Sequence, residues 1–342
     1  MTINVALVTN EGLILGCDSV ASTIGYYLDP SKLIPKDADG NWIRDDDGNW
    51  NVKFNFFNLD QLVTNAWGGV QKMFVLCGGQ KNNHTNIAAI TSGLATLLNR
   101  TMNNFAGEFH RQMSAQQEPC ETVQDVVDKF AQFMGNHYDM HYNELGSPDD
   151  WKEDIEFLVG GYGKNDALPS LYRVKLKDKS KDLIYAPNIE NKTGLSWAGQ
   201  SASVQRLLRG YDVALWFQLS RQFDELYKAM SERTLKIVED VLHATEAQMP
   251  TGVDSELPPK PDLSGIFESH KLDIDYQNMP VQDAIDFVAY LVNLESGKHK
   301  FVRGVPTVGG RTHIGLITRD DGFRIINPPA LTHRNTGFAR DL

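Results

Sequence analysis

The opening of the chain limits its fold more than any other stretch. Residues 3–9 (INVALVT) and 13–17 (LILGC) are apolar runs rich in branched side chains, separated by the turn signal Asn10-Glu11-Gly12. Polar and apolar residues do not alternate here. Both faces of the resulting hairpin are therefore apolar, and both must be covered by other layers.

The rest of the chain supplies those layers. Residues 24–51 read as an excursion carrying Asp39-Gly40-Asn41-Trp42 and Asp47-Gly48-Asn49-Trp50, whose Asp-Gly and Gly-Asn pairs suit one or two small hairpins. A further hairpin is expected from residues 52–59 and 62–67, ending in Gly68-Gly69. Helical spacing places Ile87, Ile90, Leu94, Leu97 and Leu98 on one face, and Val123, Val126, Val127, Phe130 and Met134 on another. Strands return at 155–161, 171–176 and 195–198. Helical faces follow at Val204, Leu207, Leu208, Tyr211 and Leu215, and at Val281 through Val292. Pro250, Pro258, Pro259 and Pro261 mark residues 249–265 as an irregular loop. Strands close the chain at 313–318 and 323–326 around a turn.

Strands clustered in sequence, with helices between the clusters, predict an α+β fold in which antiparallel sheets stack beneath helical layers. The expectation is one domain over residues 1–342, with a hairpin insertion at 24–51 and a loop at 249–265.

Composition excludes several classes. With 33 basic and 44 acidic side chains the net charge is −11, which repels phosphate backbones and anionic lipid. No apolar run approaches the roughly eighteen residues of a membrane span, and the start lacks the features of a secretory signal. Cys17, Cys77 and Cys120 are too scattered for a disulfide framework or zinc knuckle. A cytoplasmic protein binding neither nucleic acid nor membrane is expected. His137 and His141 stand four apart but lack a third metal ligand, and Gly160-Gly161-Tyr162-Gly163-Lys164 lacks the spacing of a phosphate loop. Asn191-Lys192-Thr193 has meaning as a glycosylation string only in a secreted chain.

Thr2 carries the chemistry. Met before a small residue is normally removed during synthesis, leaving Thr2 with a free amine beside its own hydroxyl. A terminal amine can activate that hydroxyl as a nucleophile, and at a pKa of about 7.7–8.0 a useful fraction is neutral at cellular pH. A nearby ammonium lowers that value and a carboxylate holds the ammonium in place. An acid one strand away and a lysine one strand beyond it are needed; Asp18 and Lys53 fit, with Lys32 and Lys72 as competitors. Lys53 leaves room for two paired strands before Gly68-Gly69, whereas Lys72 is followed closely by Cys77-Gly78-Gly79.

The whole opening, TINVALVTNEGLILGCDSVAS, resembles the proteasome β-subunit family of N-terminal-nucleophile hydrolases. So do Lys53-Phe54 with the strand ending at Gly69, the segment IEFLVGGYGKNDALPSLY, Trp197 through Ser201, and Thr307-Val308-Gly309-Gly310 before HIGLIT. The pattern is most similar to an uncharacterised bacterial branch of that family. The resemblance implies a four-layer αββα sandwich and acyl transfer on a peptide or amide substrate. Thr2, Asp18 and Lys53 are then catalytic, a backbone N–H around Gly68 or Gly69 serves the oxyanion, and no cofactor or metal is required. It also implies a homo-oligomeric ring or stack; an ATPase partner is left open. Two departures stand out: Gln200 occupies the place of an assisting serine, and no aspartate lies near Thr307. A subunit that kept the fold and lost turnover, or a small-molecule amidase, are the rival readings.

Overall fold

The computed structural model describes residues 2–28, 36–37, 39–50, 59–78, 85–115, 120–146, 148–244, 264–302 and 305–326. Lys32, Lys53 and nearly all of the 249–265 loop lie outside the described residues. The elements run β1 (Ile3–Val8), β2 (Leu13–Cys17), β3 (Val20–Leu28), β4 (Leu59–Gly68), β5 (Met73–Cys77), β6 (Asn86–Gly93), β7 (Thr96–Leu97) and β8 (Arg100–Thr101). Next come α1 (Met102–Ser114), α2 (Val123–Leu145), β9 (Ile155–Tyr162), β10 (Ser170–Lys175), β11 (Ser180–Tyr185) and β12 (Gly194–Gly199). Then follow α3 (Ala202–Arg209), α4 (Val213–Ala244), α5 (Ser264–Glu268), α6 (Val281–His299), β13 (His313–Thr318) and β14 (Gly322–Ile325). Where the sequence reads as one domain over 1–342, the chain divides into two compact units: Met1–Gln200 with Asp275–Leu342, and Ser201–Ile274.

In the larger unit, β1 and β2 form the expected hairpin at the centre of an antiparallel sheet ordered β12-β1-β2-β13-β14. A second sheet, β11-β10-β9-β6-β5, is also antiparallel. The period-two geometry of a strand sorts the apolar hairpin onto its two faces. Ala6, Val8, Leu13, Leu15 and Cys17 meet Met73, Ala88, Ile90 and Leu158 of the second sheet. On the other face, α6 crosses β2 so closely that a Cβ on Gly16 would stand 2.4 Å from Val288 Cγ1. This is why a glycine interrupts the apolar run LILGC.

The far face of the second sheet is sealed by α1 and α2. Phe74, Leu76, Ile87, Phe157 and Val159 pack there with Phe105, Phe109, Val126, Phe130 and Met134. Phe130 meets Phe157 edge-on, with ring centroids 5.0 Å apart. Hydroxyl caps start both helices: Thr101 Oγ1 accepts from the Asn104 N–H and Thr122 Oγ1 from the Asp125 N–H. Gly146, at φ +61°, ends α2 in the left-handed conformation that favours glycine.

Two local expectations change. Ile87 and Ile90, read on a helical face, lie in strand β6, which pairs with both β5 and β9. A short run apolar on all sides fits either period, and burial of β6 on both faces decides it. The strand ending at Gly68 pairs with β3, Val20 standing opposite Gly68 and Leu28 opposite Leu59; residues 52–58, its expected partner, lie outside the described residues. Two tight turns stand in the excursion. Asp37 Oδ1 accepts from the Asp39 and Asn41 N–H groups, and Asp45 Oδ1 from those of Asp47 and Asn49. Bridges Lys36–Trp42 and Arg44–Trp50 close them, each with its cation over the indole ring at 4.3 and 3.8 Å.

The smaller unit is helical in its described residues. α3 ends at Gly210 with φ +75°, and the Leu272 N–H donates to the Leu208 carbonyl at 2.9 Å. Trp216, near the start of α4, and Tyr211 both contact the Phe267 ring.

Candidate active site

The hairpin brings its two ends together. Thr2 precedes β1 and Asp18 follows β2, and in an antiparallel pair these positions are neighbours, Asn4 standing opposite Cys17. The Thr2 hydroxyl donates to Asp18 Oδ1, and the Ile3 N–H donates to the same oxygen at 3.1 Å. Asp18 Oδ2 accepts from the N–H groups of Val20 at 3.1 Å and Gly309 at 3.0 Å. The carboxylate is 1% exposed, yet both oxygens are satisfied, as a buried charge requires.

Among the described residues, the cation of the site is Lys72. Its ammonium donates to Thr2 Oγ1, to Asp18 Oδ1 at 2.7 Å and to the Val20 carbonyl at 2.5 Å, and the residue is 6% exposed. All three ammonium protons thus have acceptors, which offsets its removal from water. Lys72 immediately precedes β5, and its carbonyl accepts from the Thr91 N–H of β6 at 3.0 Å, so the second sheet carries it. The contact with Thr2 is therefore made by the lysine the sequence reading ranks below Lys53. Counting strands from Asp18 misleads because β3 and β4 form a two-stranded ribbon of their own, and the lysine leads the strand after it. The available signal is a lysine directly before the apolar run MFVLC.

A wider frame of hydrogen bonds holds Thr2. The Gln200 N–H donates to the Thr2 carbonyl at 2.6 Å, and Thr307 Oγ1 donates to Gln200 Oε1 at 2.8 Å. Gly199, at φ +76°, lets the end of β12 reach Thr2: a Cβ there would stand 2.2 Å from the Thr2 carbonyl oxygen. The two positions that depart from the resembled pattern are thus bonded to each other. Segment 307–309 touches both Gln200 and Asp18.

Electrostatics separates the nucleophile candidates. Burial pushes the Cys17 thiol up to about 12, with Lys72 opposing and Asp18 adding, so Cys17 stays a neutral thiol. Burial likewise lowers the pKa of His313, which faces Cys17 across the β2–β13 pair; Asp18 pulls the other way, and Lys72 and Arg311 add to the lowering. Its Nε2 has no hydrogen-bond partner among the described residues, so it is a neutral imidazole beside the site. Among the described residues no group of acidic, histidine or cysteine side chains could hold a metal ion.

Thr2 and Lys72 lie at one end of a cavity of about 500 Å³, walled by β3 residues, Trp67, Val70 and the segment from Thr91 to Thr96. Gly68 and Gly69, expected to serve the oxyanion, are exposed at the end of β4, between the lining residues Trp67 and Val70. Gly93 also lines the cavity, with φ +104° and no room for a Cβ, which would stand 2.2 Å from the Asp154 carbonyl oxygen. No helix among the described residues is long and apolar enough to cross a membrane.

No family model and no curated protein matches the chain. Among solved structures, an Anbu (Gly-1) mutant from Hyphomicrobium sp. strain MC1 is 10% identical with a TM-score of 0.42, covering 96% of this chain and 86% of its own. Anbu (ancestral beta-subunit) from Yersinia bercovieri is 11% identical with a TM-score of 0.42, covering 94% and 82%. A structure described as the helical assembly of the Anbu complex from Pseudomonas aeruginosa is 13% identical with a TM-score of 0.35, covering 65% and 71%. These findings correct the expected placement nearest an uncharacterised bacterial branch of the proteasome β-subunit family: no family model matches, and the three solved structures named above are Anbu proteins. At such identities and TM-scores, what the chain does has to be read from the geometry around Thr2.

Proposed function

We propose that this protein is an N-terminal-threonine hydrolase of peptide or other amide bonds, with Thr2 as nucleophile once Met1 is removed. The observation that carries the reading is the Thr2 hydroxyl in contact with both the Lys72 ammonium and the Asp18 carboxylate at the end of a cavity. The hydroxyl oxygen adds to the substrate carbonyl carbon while its proton passes to the α-amine of mature Thr2, directly or through a water. Lys72 stabilises the developing alkoxide and keeps the amine pKa low enough for it to act as base. Asp18 neutralises and orients Lys72.

The tetrahedral oxyanion needs a backbone N–H donor, a contribution of about 3 kcal/mol. The turn after β6 around Gly93 is a candidate alongside Gly68 and Gly69, because it lines the cavity that Thr2 enters. Collapse expels the amine, which takes the proton back from the Thr2 ammonium. Water, deprotonated by the same amine, then releases the acyl group from Thr2. The two facing sheets with helices outside each support the four-layer αββα reading of the larger unit.

The neutral Gln200–Thr307 pair favours a second reading, a subunit that keeps the fold without turnover. One experiment separates the two. Intact mass of the purified protein should show loss of Met1, and a threonine-directed electrophile such as a β-lactone should label Thr2. Thr2→Ala should abolish the label and lower hydrolysis of a peptide and amide library at least about a thousandfold. Retained Met1, or labelling unchanged in Thr2→Ala, overturns the catalytic reading.

A further inference from the structure

One level of the space between the two large sheets is polar. Ala6 and Val8 face the second sheet, and by the period of two Thr2 and Asn4 fall on the same face. Asn4 is thus one layer beneath Thr2, about 7 Å along the strand. It stands opposite Ala198 on one side and Cys17 on the other, and Cys17 stands opposite His313. Ala198 and Cys17 both belong to the core between the sheets, so the row faces inward.

Asn4 is 0% exposed and His313 3%. Asn4 Oδ1, Asn4 Nδ2 and His313 Nε2 have no hydrogen-bond partner among the described residues. Unmet polar groups at this depth are costly, and a leucine of similar shape at position 4 would carry no such cost. The two residues flank the Cys17 thiol. At about 4.8 Å per strand their backbones stand about 10 Å apart, a gap that the side chains narrow to the span of a bridging water. The row also adjoins Lys72. A Cβ on Gly315, which shares its face of β13 with His313, would stand 2.4 Å from Sδ of Met73, the residue after Lys72. The charges of Lys72 and Asp18 both act on His313 and on Cys17.

We propose that Asn4 and His313 hold an internal water beneath Thr2, and that this water is the alternative acceptor for the Lys72 ammonium during turnover. In the resting site the ammonium donates to Thr2 Oγ1, Asp18 Oδ1 and the Val20 carbonyl. In the acyl-enzyme Thr2 Oγ1 is an ester oxygen, a poor acceptor, and the buried ammonium is left with one proton unmet. The water accepts that hydrogen bond until Thr2 is released; no covalent bond forms or breaks on it. Asn4 and His313 are positioning residues that act through the water. The role in turnover rests on the Thr2 hydrolase reading.

High-resolution diffraction from the full chain should show an ordered water bonded to the Asn4 side chain and His313 Nε2. Asn4→Leu should leave the urea midpoint unchanged or raise it. The same variant should lower kcat about tenfold and let the Thr2 acyl-enzyme accumulate, seen as a burst and as added intact mass. His313→Leu should lower kcat similarly, whereas His313→Gln, which can place an amide nitrogen near the Nε2 position, should keep most of it. Absence of the water, an unchanged kcat in Asn4→Leu, or a fall in kcat matched by a fall in stability overturns the proposal. A parent chain that a β-lactone fails to label at Thr2 overturns the catalytic reading and this role with it. A labelled parent whose Asn4→Leu form turns over normally overturns this inference alone. If Asn4→Leu does not fold, diffraction and the two His313 variants decide.

Discussion

Strand β1 and helix α4 are both rich in large apolar residues, and the protein treats them in opposite ways. Every residue of β1 is buried, Ile3, Val5, Leu7 and Val8 all at 0% exposure, whereas the apolar seam of α4 (Leu215, Leu219, Leu226, Met230, Ile237 and Val241) stands at about half exposure. β1 has neighbours on both edges and packing on both faces, all from its own unit. The described residues leave the α4 seam about half exposed. Apolar content alone therefore does not say where the core is. The number of elements that come to cover a segment does, and the candidate site follows that difference: Thr2 sits at the start of the fully covered strand, where charge contacts are strong.

The contrast breaks most sharply at the buried ion pair. Lys72→Met should reduce Thr2-dependent hydrolysis at least about a thousandfold and destabilise the fold by about 3–5 kcal/mol, because Asp18 is left buried without its cation. Lys53→Ala should leave both quantities near wild type. Parallel kinetics and urea unfolding of the two variants check this, and loss of activity in Lys53→Ala with retention in Lys72→Met would restore the lysine first expected.

A smaller effect sharpens the packing comparison. Phe130→Ala removes a buried ring between α2 and β9 and should cost about 3–5 kcal/mol. Leu226→Ala, on the exposed seam, should change unfolding at low protein concentration by less than about 0.5 kcal/mol. Equal losses would mean that the seam is part of the monomer's core. The smallest expected effect concerns pH. Burial holds the His313 pKa below its ordinary value, so on acidification the unfolded chain takes up the proton first. Stability from this group is full above about pH 6.5 and is lost as pH falls below it. His313→Gln should flatten the fall of Tm between about pH 6.5 and 5, and an unchanged slope would sink the assignment.

Several features were legible before any coordinates. The turn at Asn10-Glu11-Gly12 between two runs of similar length forces Thr2 and Asp18 to neighbouring ends of one hairpin. The Asp-Gly-Asn-Trp strings likewise announce their own turns, since the hydrogen bonds they make are local. Lys72 was not legible by counting, because the ribbon β3–β4 intervenes without contributing a strand to either large sheet. Residues 86–93 were misread because a run apolar on every side has no informative period.

By itself the sequence determined what is local: the hairpin, the Asp-Gly-Asn-Trp turns, and the periodicity of α2 and α6. These depend on contacts a few residues apart, so residue order suffices. Which lysine meets Thr2, and that Gln200 and Thr307 bond to each other, were decided only in three dimensions. Each depends on how separate elements pack, and burial, not spacing, sets the free energy of that choice.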